Sequence, residues 1–363
     1  MPRRFFSRCL ALALAVGLAG CASTGYYFQA VSGQVELWQR SEPINDVISR
    51  SDTDSKIREK LIRIREIREF ASRELKLPDN GSYQKYVDLK RPYVVWNVFA
   101  TEELSVTPKE WCVLIVGCVS YRGYFSKESA EKYAAELRSQ GYDVHIGGVP
   151  AYSTLGYFDD PVLSTFMDYS ETELARLIFH ELAHQLLYVK DDTMFNESFA
   201  AAVEMEGVRR WIDINGKPNE HTLFAQQQSR REDYIRFLSK HRNKLHALYV
   251  SAQSVDEKRA GKARLFQEMK DDYKRLKAQW GGYSGYDRIL TQNLNNAFLV
   301  SSSLYNHLVP AFQALLTRNR GDMKRFYEAS QLLALQPKNA RETDLAALMQ
   351  GGGGGTAVAA PDR

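Results

Sequence analysis

The residues best equipped for chemistry are His180-Glu181-Leu182-Ala183-His184, an H-E-x-x-H motif. Two histidines one helical turn apart project from the same face. Imidazoles held this way suit a tetrahedral metal, and zinc accepts them best, here one ion per chain. Glu181 sits beside the first ligand, where it can take a proton from a water at the metal. A third ligand is expected from Asn196-Glu197-Ser198-Phe199-Ala200, just downstream. Glu197 completes a His-His-Glu set with one position open, the donor set of a catalytic zinc centre. Glu204 lies two turns later on nearly the same face, as the substitute ligand or a supporting carboxylate. The plain alternative for Glu204 and Glu206 is a pair of solvated helix carboxylates.

Two helices must position these groups. Leu174, Leu177, Ile178, Leu182, Leu186 and Val189 recur at helical spacing, so the motif belongs on a buried helix. Lys190-Asp191-Asp192-Thr193 breaks that pattern. The helix that follows runs antiparallel and returns Glu197 towards the imidazoles. With seven histidines in the chain, an H-E-x-x-H arises by chance on the order of one time in a hundred. Chance does not also supply an apolar helix and a nearby N-E-x-x-A.

The remaining chain reads as a scaffold. Tyr26 to Arg40 and Ser55 to Leu75 have helical patterns; the second is capped by Asp52, Thr53 or Asp54 and stops before Pro78. Its arginines alternate with acids and form a solvated face. Strand signals follow at Tyr93 to Ala100, Trp111 to Ser120 and Tyr142 to Pro150, with a helix over Ser126 to Ser139. Gly147 and Gly148 either let a peptide backbone approach as an added strand or mark a bulge. His145 alternates with apolar residues and reads as structural. Arg231 to Trp280 predicts a charged helical hairpin turning near Ala260-Gly261, with Phe266, Met269, Tyr273, Leu276 and Trp280 as one seam. Gly281 to Tyr286 is then a flexible loop, and Asn295 to Leu316 a polar helix kinked at Pro310. These elements predict an α+β, mostly helical fold: a small mixed sheet packed on the H-E-x-x-H helix, with a long helical hairpin.

Residues 1–20 combine Arg3, Arg4 and Arg8 with an apolar run too short to cross a membrane, which marks a targeting segment. Leu18-Ala19-Gly20-Cys21 resembles a bacterial lipobox, which implies an acylated Cys21 holding the chain to a lipid bilayer. A plain secretory signal is the alternative. The absence of an acid after Cys21 favours the periplasmic face of an outer membrane. The formal charge is +4, and without those three arginines it is 4 − 3 = +1, so no nucleic-acid partner is expected. Cys112 and Cys118 remain after Cys9 and Cys21, and an isolated pair in an oxidising compartment bridges; two buried thiols on one strand are the alternative. The organisation is thus a signal over 1–20, one metallopeptidase domain over 21–350 (N-terminal helices 22–90, sheet 91–170, helical catalytic part 171–350) and a disordered Gly-rich tail over 351–363.

H-E-L-A-H followed by N-E-S-F-A resembles the gluzincin metallopeptidases, although the intervening segment is shorter here. The chain as a whole is similar to bacterial lipoproteins catalogued as predicted aminopeptidases. That likeness runs through Gly117 to Phe125, Val149 to Pro161, the zinc segment and Asn295 to Phe312. It implies a peptide substrate and a sheet that supports it. It also implies an oxyanion donor downstream of the third ligand: Tyr305, with His307 and Tyr286 behind it. An aminopeptidase needs carboxylates for the free α-amine. The G-x-M-E-N element that serves aminopeptidase N relatives is absent, which leaves Glu204, Glu206, Asp159 and Asp160 as substitutes. An envelope endopeptidase is the alternative enzyme, and a scaffold with structural zinc the alternative outside enzymes. The second fits poorly with Glu181, for which a closed structural site has no use.

Overall fold

The computed structural model describes residues 25–113, 117–303 and 308–349. Cys21, Tyr305, His307 and the glycine tail lie outside the described residues. The helices are α1 (25–40), α2 (Ile44–Ser49), α3 (Ser55–Arg73), α4 (Lys127–Ser139), α5 (Glu171–Leu186), α6 (Thr193–Asn215), α7 (Glu220–Tyr249), α8 (Val255–Gln279), α9 (Arg288–Thr291), α10 (Asn296–Ser303), α11 (Val309–Arg318), α12 (Met323–Ala334) and α13 (Lys338–Met349). The strands are β1 (Glu42–Pro43), β2 (Lys85–Val87), β3 (Val95–Glu102), β4 (Trp111–Val113), β5 (Gly117–Val119), β6 (Arg122–Tyr124), β7 (Tyr142–Val149) and β8 (Val162–Leu163). The fold is α+β and mostly helical.

Helices begin where a side chain can satisfy their free amides. Asp54 caps α3, accepting from the amides of Lys56 and Ile57 at 2.9 and 3.2 Å. Ser170 and Glu173 form a reciprocal capping box at the start of α5. Ser254 and Glu257 do the same for α8. The hairpin therefore turns at residues 250–254, not at Ala260-Gly261. Gly261 lies inside α8, where a Cβ would come within 2.8 Å of Leu248. Its small size serves close helix packing, which outweighs its poor helix propensity. The segment Asn295 to Leu316 is likewise two helices and not one kinked helix. Pro310 stands in the first turn of α11, where its missing N–H is no loss.

Three antiparallel strands in the order β6-β3-β7 make the main sheet. A second sheet is mixed: β2 pairs antiparallel with β1 and parallel with β8. The stretch Trp111 to Ser120 is not one strand; β4 and β5 pair with each other, and a disulfide joins Cys112 to Cys118 across them. The β3–β7 register runs unbroken from Val95↔Val149 to Glu102↔Tyr142, so Gly147 and Gly148 create no bulge. Gly148 instead makes room for the Tyr93 ring.

Strand alternation gives the main sheet two different faces. Trp96, Val98 and Ala100 are buried with Ala130, Ala134 and Leu137 of α4. Val95, Asn97 and Phe99 point the other way, into a cavity shared with α5 and α6. The largest core joins α3, α5, α6 and α11 to α13. The α7–α8 hairpin buries Leu238, Leu245, Phe266, Met269 and Tyr273 in a core of its own.

Candidate metal centre

His180, His184 and Glu197 offer one ligand atom each, and these atoms lie within 4.8 Å of one another. The two Nε2 atoms are 3.1 Å apart. Glu197 places Oε2 at 3.3 Å from His180 Nε2 and Oε1 at 3.6 Å from His184 Nε2. Ligands at about 2.0–2.1 Å from a tetrahedral ion are roughly 3.3 Å apart. Two imidazole nitrogens and a carboxylate converging at this spacing are a donor set that suits zinc.

The turn between the helices sets that spacing. Asn196, just before the glutamate, donates from Nδ2 to the Val189 carbonyl and accepts at Oδ1 from the Val189 amide, each at 2.7 Å. Its carboxamide thus ties the end of α5 to the first turn of α6 and fixes Glu197 opposite the histidines. Asp192 caps α6 through the Phe195 amide at 3.1 Å and is held in a buried ion pair with Arg341 at 2.6 Å. Asp191 accepts from the Cys118 amide at 2.6 Å, which docks the disulfide hairpin on the same turn. Val189, expected on the helical stripe, lies beyond the end of α5.

Glu204 is not solvated, and it stands outside the His180–His184–Glu197 cluster. It is 3% exposed and accepts from His180 Nδ1 at 2.8 Å. Arg176 and Arg231 reach its other oxygen at 2.9 and 2.6 Å. A carboxylate behind a ligating histidine fixes the ring and its tautomer, leaving Nε2 for the metal. Burial pushes the Glu204 carboxyl up, but the two arginines and His180 outweigh it and hold it well below the usual range. Arg176 was not singled out in the sequence, although its place one turn before His180 could have pointed to it; nothing local pointed to Arg231. Glu206 pairs with Arg209 and Arg210 at 2.8 and 2.6 Å, on the outside of α6.

Burial alone would lower both histidines. For His180, hydrogen bonds to Glu197 and Glu204 reverse this and raise it to about 10. Burial prevails at His184, which falls to about 4. Glu181 is raised to about 7, chiefly by burial. Its carboxylate lines the cavity and makes no hydrogen bond to another described residue. Behind α5, Asp160 accepts from Gln185 Nε2 at 2.9 Å and from the Thr154 amide at 3.1 Å. Asp159 is exposed beside Gly81.

The cavity, of about 700 Å³, has the metal set as its floor and the β6-β3-β7 face as its roof. His145 forms part of the wall, its ring centroid 5.2 Å from that of Phe298 and 6.3 Å from that of Phe99. Tyr286 also lines it, stacked on Tyr234 at 4.0 Å. Tyr121 and Tyr188 are two wall residues that the sequence did not single out. Burial first, then the Glu197 charge, pushes both phenols above their ordinary value. In a chain with 20 tyrosines, no local pattern could have marked these two.

Residues 25–345 match the family described as putative aminopeptidase, and the chain belongs to that family. No curated protein and no solved structure matches the chain.

Proposed function

We propose that the chain is a zinc-dependent peptidase of the gluzincin kind. The observation that carries this reading is the convergence of His180, His184 and Glu197 on the cavity floor, beside a Glu181 that pairs with no described residue. Membership of a family described as aminopeptidases supports the peptidase class. A zinc ion held by those three side chains would supply Lewis acidity to a carbonyl and acidify a water. Glu181 accepts the proton of the attacking water and returns it to the leaving amine. Glu204 keeps His180 oriented throughout. The developing oxyanion needs a donor, for which Tyr305 remains the residue the family resemblance implies; Tyr121 and Tyr286 are alternatives on the cavity wall.

Aminopeptidase action requires a partner for the α-amine. Each acid put forward for this is engaged elsewhere: Glu204 with two arginines, Glu206 with Arg209 and Arg210, Asp160 with neutral donors behind α5, and Asp159 at the outer surface. This favours an endopeptidase acting on envelope peptides as the second reading. No helix among the described residues is long and apolar enough to cross a membrane, and attachment through an acylated Cys21 at the outer membrane is part of the proposal.

The test is digestion of a peptide pool, with free and blocked N-termini, by zinc-loaded protein and by Glu181→Gln, read by mass spectrometry. Cleavage confined to free N-termini identifies an aminopeptidase; cleavage of blocked peptides identifies an endopeptidase. Glu181→Gln should keep close to one zinc per chain and lose about two to four orders of magnitude in turnover. Undiminished cleavage by that variant would remove the mechanism.

A further inference from the structure

The roof of the cavity has a feature that the metal chemistry does not require. Asn97 stands at the centre of the β6-β3-β7 face, paired with Gly123 on one side and Gly147 on the other. The row across the three strands therefore reads Gly123–Asn97–Gly147, with a side chain only in the middle. One flank is aromatic: Phe99 has Tyr121 and His145 beside it, at centroid distances of 5.8 and 6.3 Å. The other flank is apolar, with Val95 opposite Val149. The result is a trough that crosses the strands above the metal set. Rows two residues either side of Asn97 put its walls roughly 13 Å apart, measured between backbones.

The Asn97 carboxamide lines the cavity and makes no hydrogen bond to any described residue. An unused amide on a bare sheet face presents two donors and an acceptor. A Cβ at Gly147 would make only ordinary contacts, with Phe99 at 3.6 Å and His145 at 3.9 Å, so the fold itself would admit a small side chain there. Its φ is not in the left-handed region, so the backbone does not demand glycine. Space above the sheet is what glycine supplies at this position.

We propose that the Gly123–Asn97–Gly147 trough is a subsite for the main chain of a peptide substrate. A peptide unit carries one acceptor and one donor, and a carboxamide can meet both at once. Gly123 gives the Asn97 carboxamide room to lie against the sheet, since a Cβ there would stand 3.1 Å from Asn97 Oδ1, and Gly147 lets an extended backbone settle close to the sheet, across the strands and not alongside them. At the Asp143–Val144 end, the outer edge of β7 is covered by the start of α10: the Asn295 side chain, just before that helix, donates to the Val144 carbonyl at 3.0 Å and the Asn296 amide donates to the Asp143 carboxylate at 3.0 Å. This inference rests on the peptidase reading above for the identity of the ligand.

The probe is a pool of blocked and unblocked hexapeptides, and the protein is the metal-loaded full chain. Binding is measured on Glu181→Gln alone and combined with Asn97→Leu or with Gly147→Leu. Cleavage is measured on the single Asn97→Leu and Gly147→Leu variants. Both variants should keep wild-type metal content and melting behaviour. Each should weaken binding and raise KM by about ten- to a hundredfold with kcat little changed, the signature of lost ground-state contacts. Asn97→Leu removes the polar group and Gly147→Leu fills the trough, so agreement between them points to the trough itself. Binding and KM unchanged in both variants would overturn the subsite while leaving the peptidase reading intact. No peptide binding to Glu181→Gln would also overturn it. Peptides that bind through Asn97 yet are not cut by wild-type protein would keep the subsite and sink the peptidase reading.

Discussion

Glu204 and Asp160 occupy different faces of α5, each 3% exposed, and they solve the same burial problem in opposite ways. Glu204 has two arginines and an imidazole around it, drawn from α5 and α7, and is held charged. Asp160 has a glutamine, a hydroxyl and a backbone amide, and burial raises it from 3.8 to about 6. Full charges offset the desolvation of a carboxylate, whereas the neutral donors around Asp160 do not. The charged side faces His180 of the candidate metal centre. The neutral side ties the loop over residues 153–160 to Gln185 and Ser82 and serves the fold.

The largest effect should come from breaking the charged side. Glu204→Ala leaves two arginines facing a void and His180 without its anchor. We expect a loss of about 3–5 kcal/mol in stability and a ten- to hundredfold fall in zinc affinity, measured by denaturation and competitive zinc titration. The variant should still fill with zinc at saturation, whereas Glu197→Ala should not. Zinc lost from Glu204→Ala but kept by Glu197→Ala would reverse the assignment of ligand and support.

A smaller effect tests the neutral side through pH. Because the folded Asp160 binds its proton more tightly than the unfolded one, it favours the fold most below pH 3.8, and that contribution disappears as pH rises through about 6. Its size is about 2–3 kcal/mol. Glu204 has the opposite sign, since its depressed carboxyl favours the fold above its unfolded value and loses that contribution on acidification. Subtracting the stability–pH curve of Asp160→Asn from that of the wild type should isolate a decline between pH 4 and 6. A difference that rises with pH would mean that Asp160 is held charged like Glu204, and a flat one that its carboxyl is unshifted. Smallest of all, Gln185→Ala removes donors to Asp160 and Ser82 and should cost about 1–2 kcal/mol. Equilibrium denaturation measures that loss, and zinc content should stay at the wild-type level.

Much of this site was legible because its parts are close in the chain. His180 and His184 share a face by helical geometry alone, and Glu197 follows after one short turn. The same local logic located α3, α4, β3 and β7 to within a few residues. It failed where two signals competed. Gly261 looked like a turn, but close packing against Leu248 claimed it, and the Ser254 capping box started α8 earlier. Pro310 looked like a kink because a helix was assumed to run through it. Trp111 to Ser120 has one continuous β pattern, yet Gly117 adopts φ 82°, and β4 and β5 pair with each other.

Residue types and short spacings were enough to mark His180, His184 and Glu197 as candidate ligands and to show that the chain is mostly helical. Only the tertiary structure decided what surrounds the ligands. Arg231 lies 27 residues from Glu204, and its guanidinium fixes that carboxylate only because α7 crosses α6 there. Asn97 meets Gly123 and Gly147 through strand register, which no local pattern encodes. A buried charge takes its state from whichever groups the fold brings beside it, so Glu204 and Asp160, alike as residues, diverge only once the helices and loops have packed.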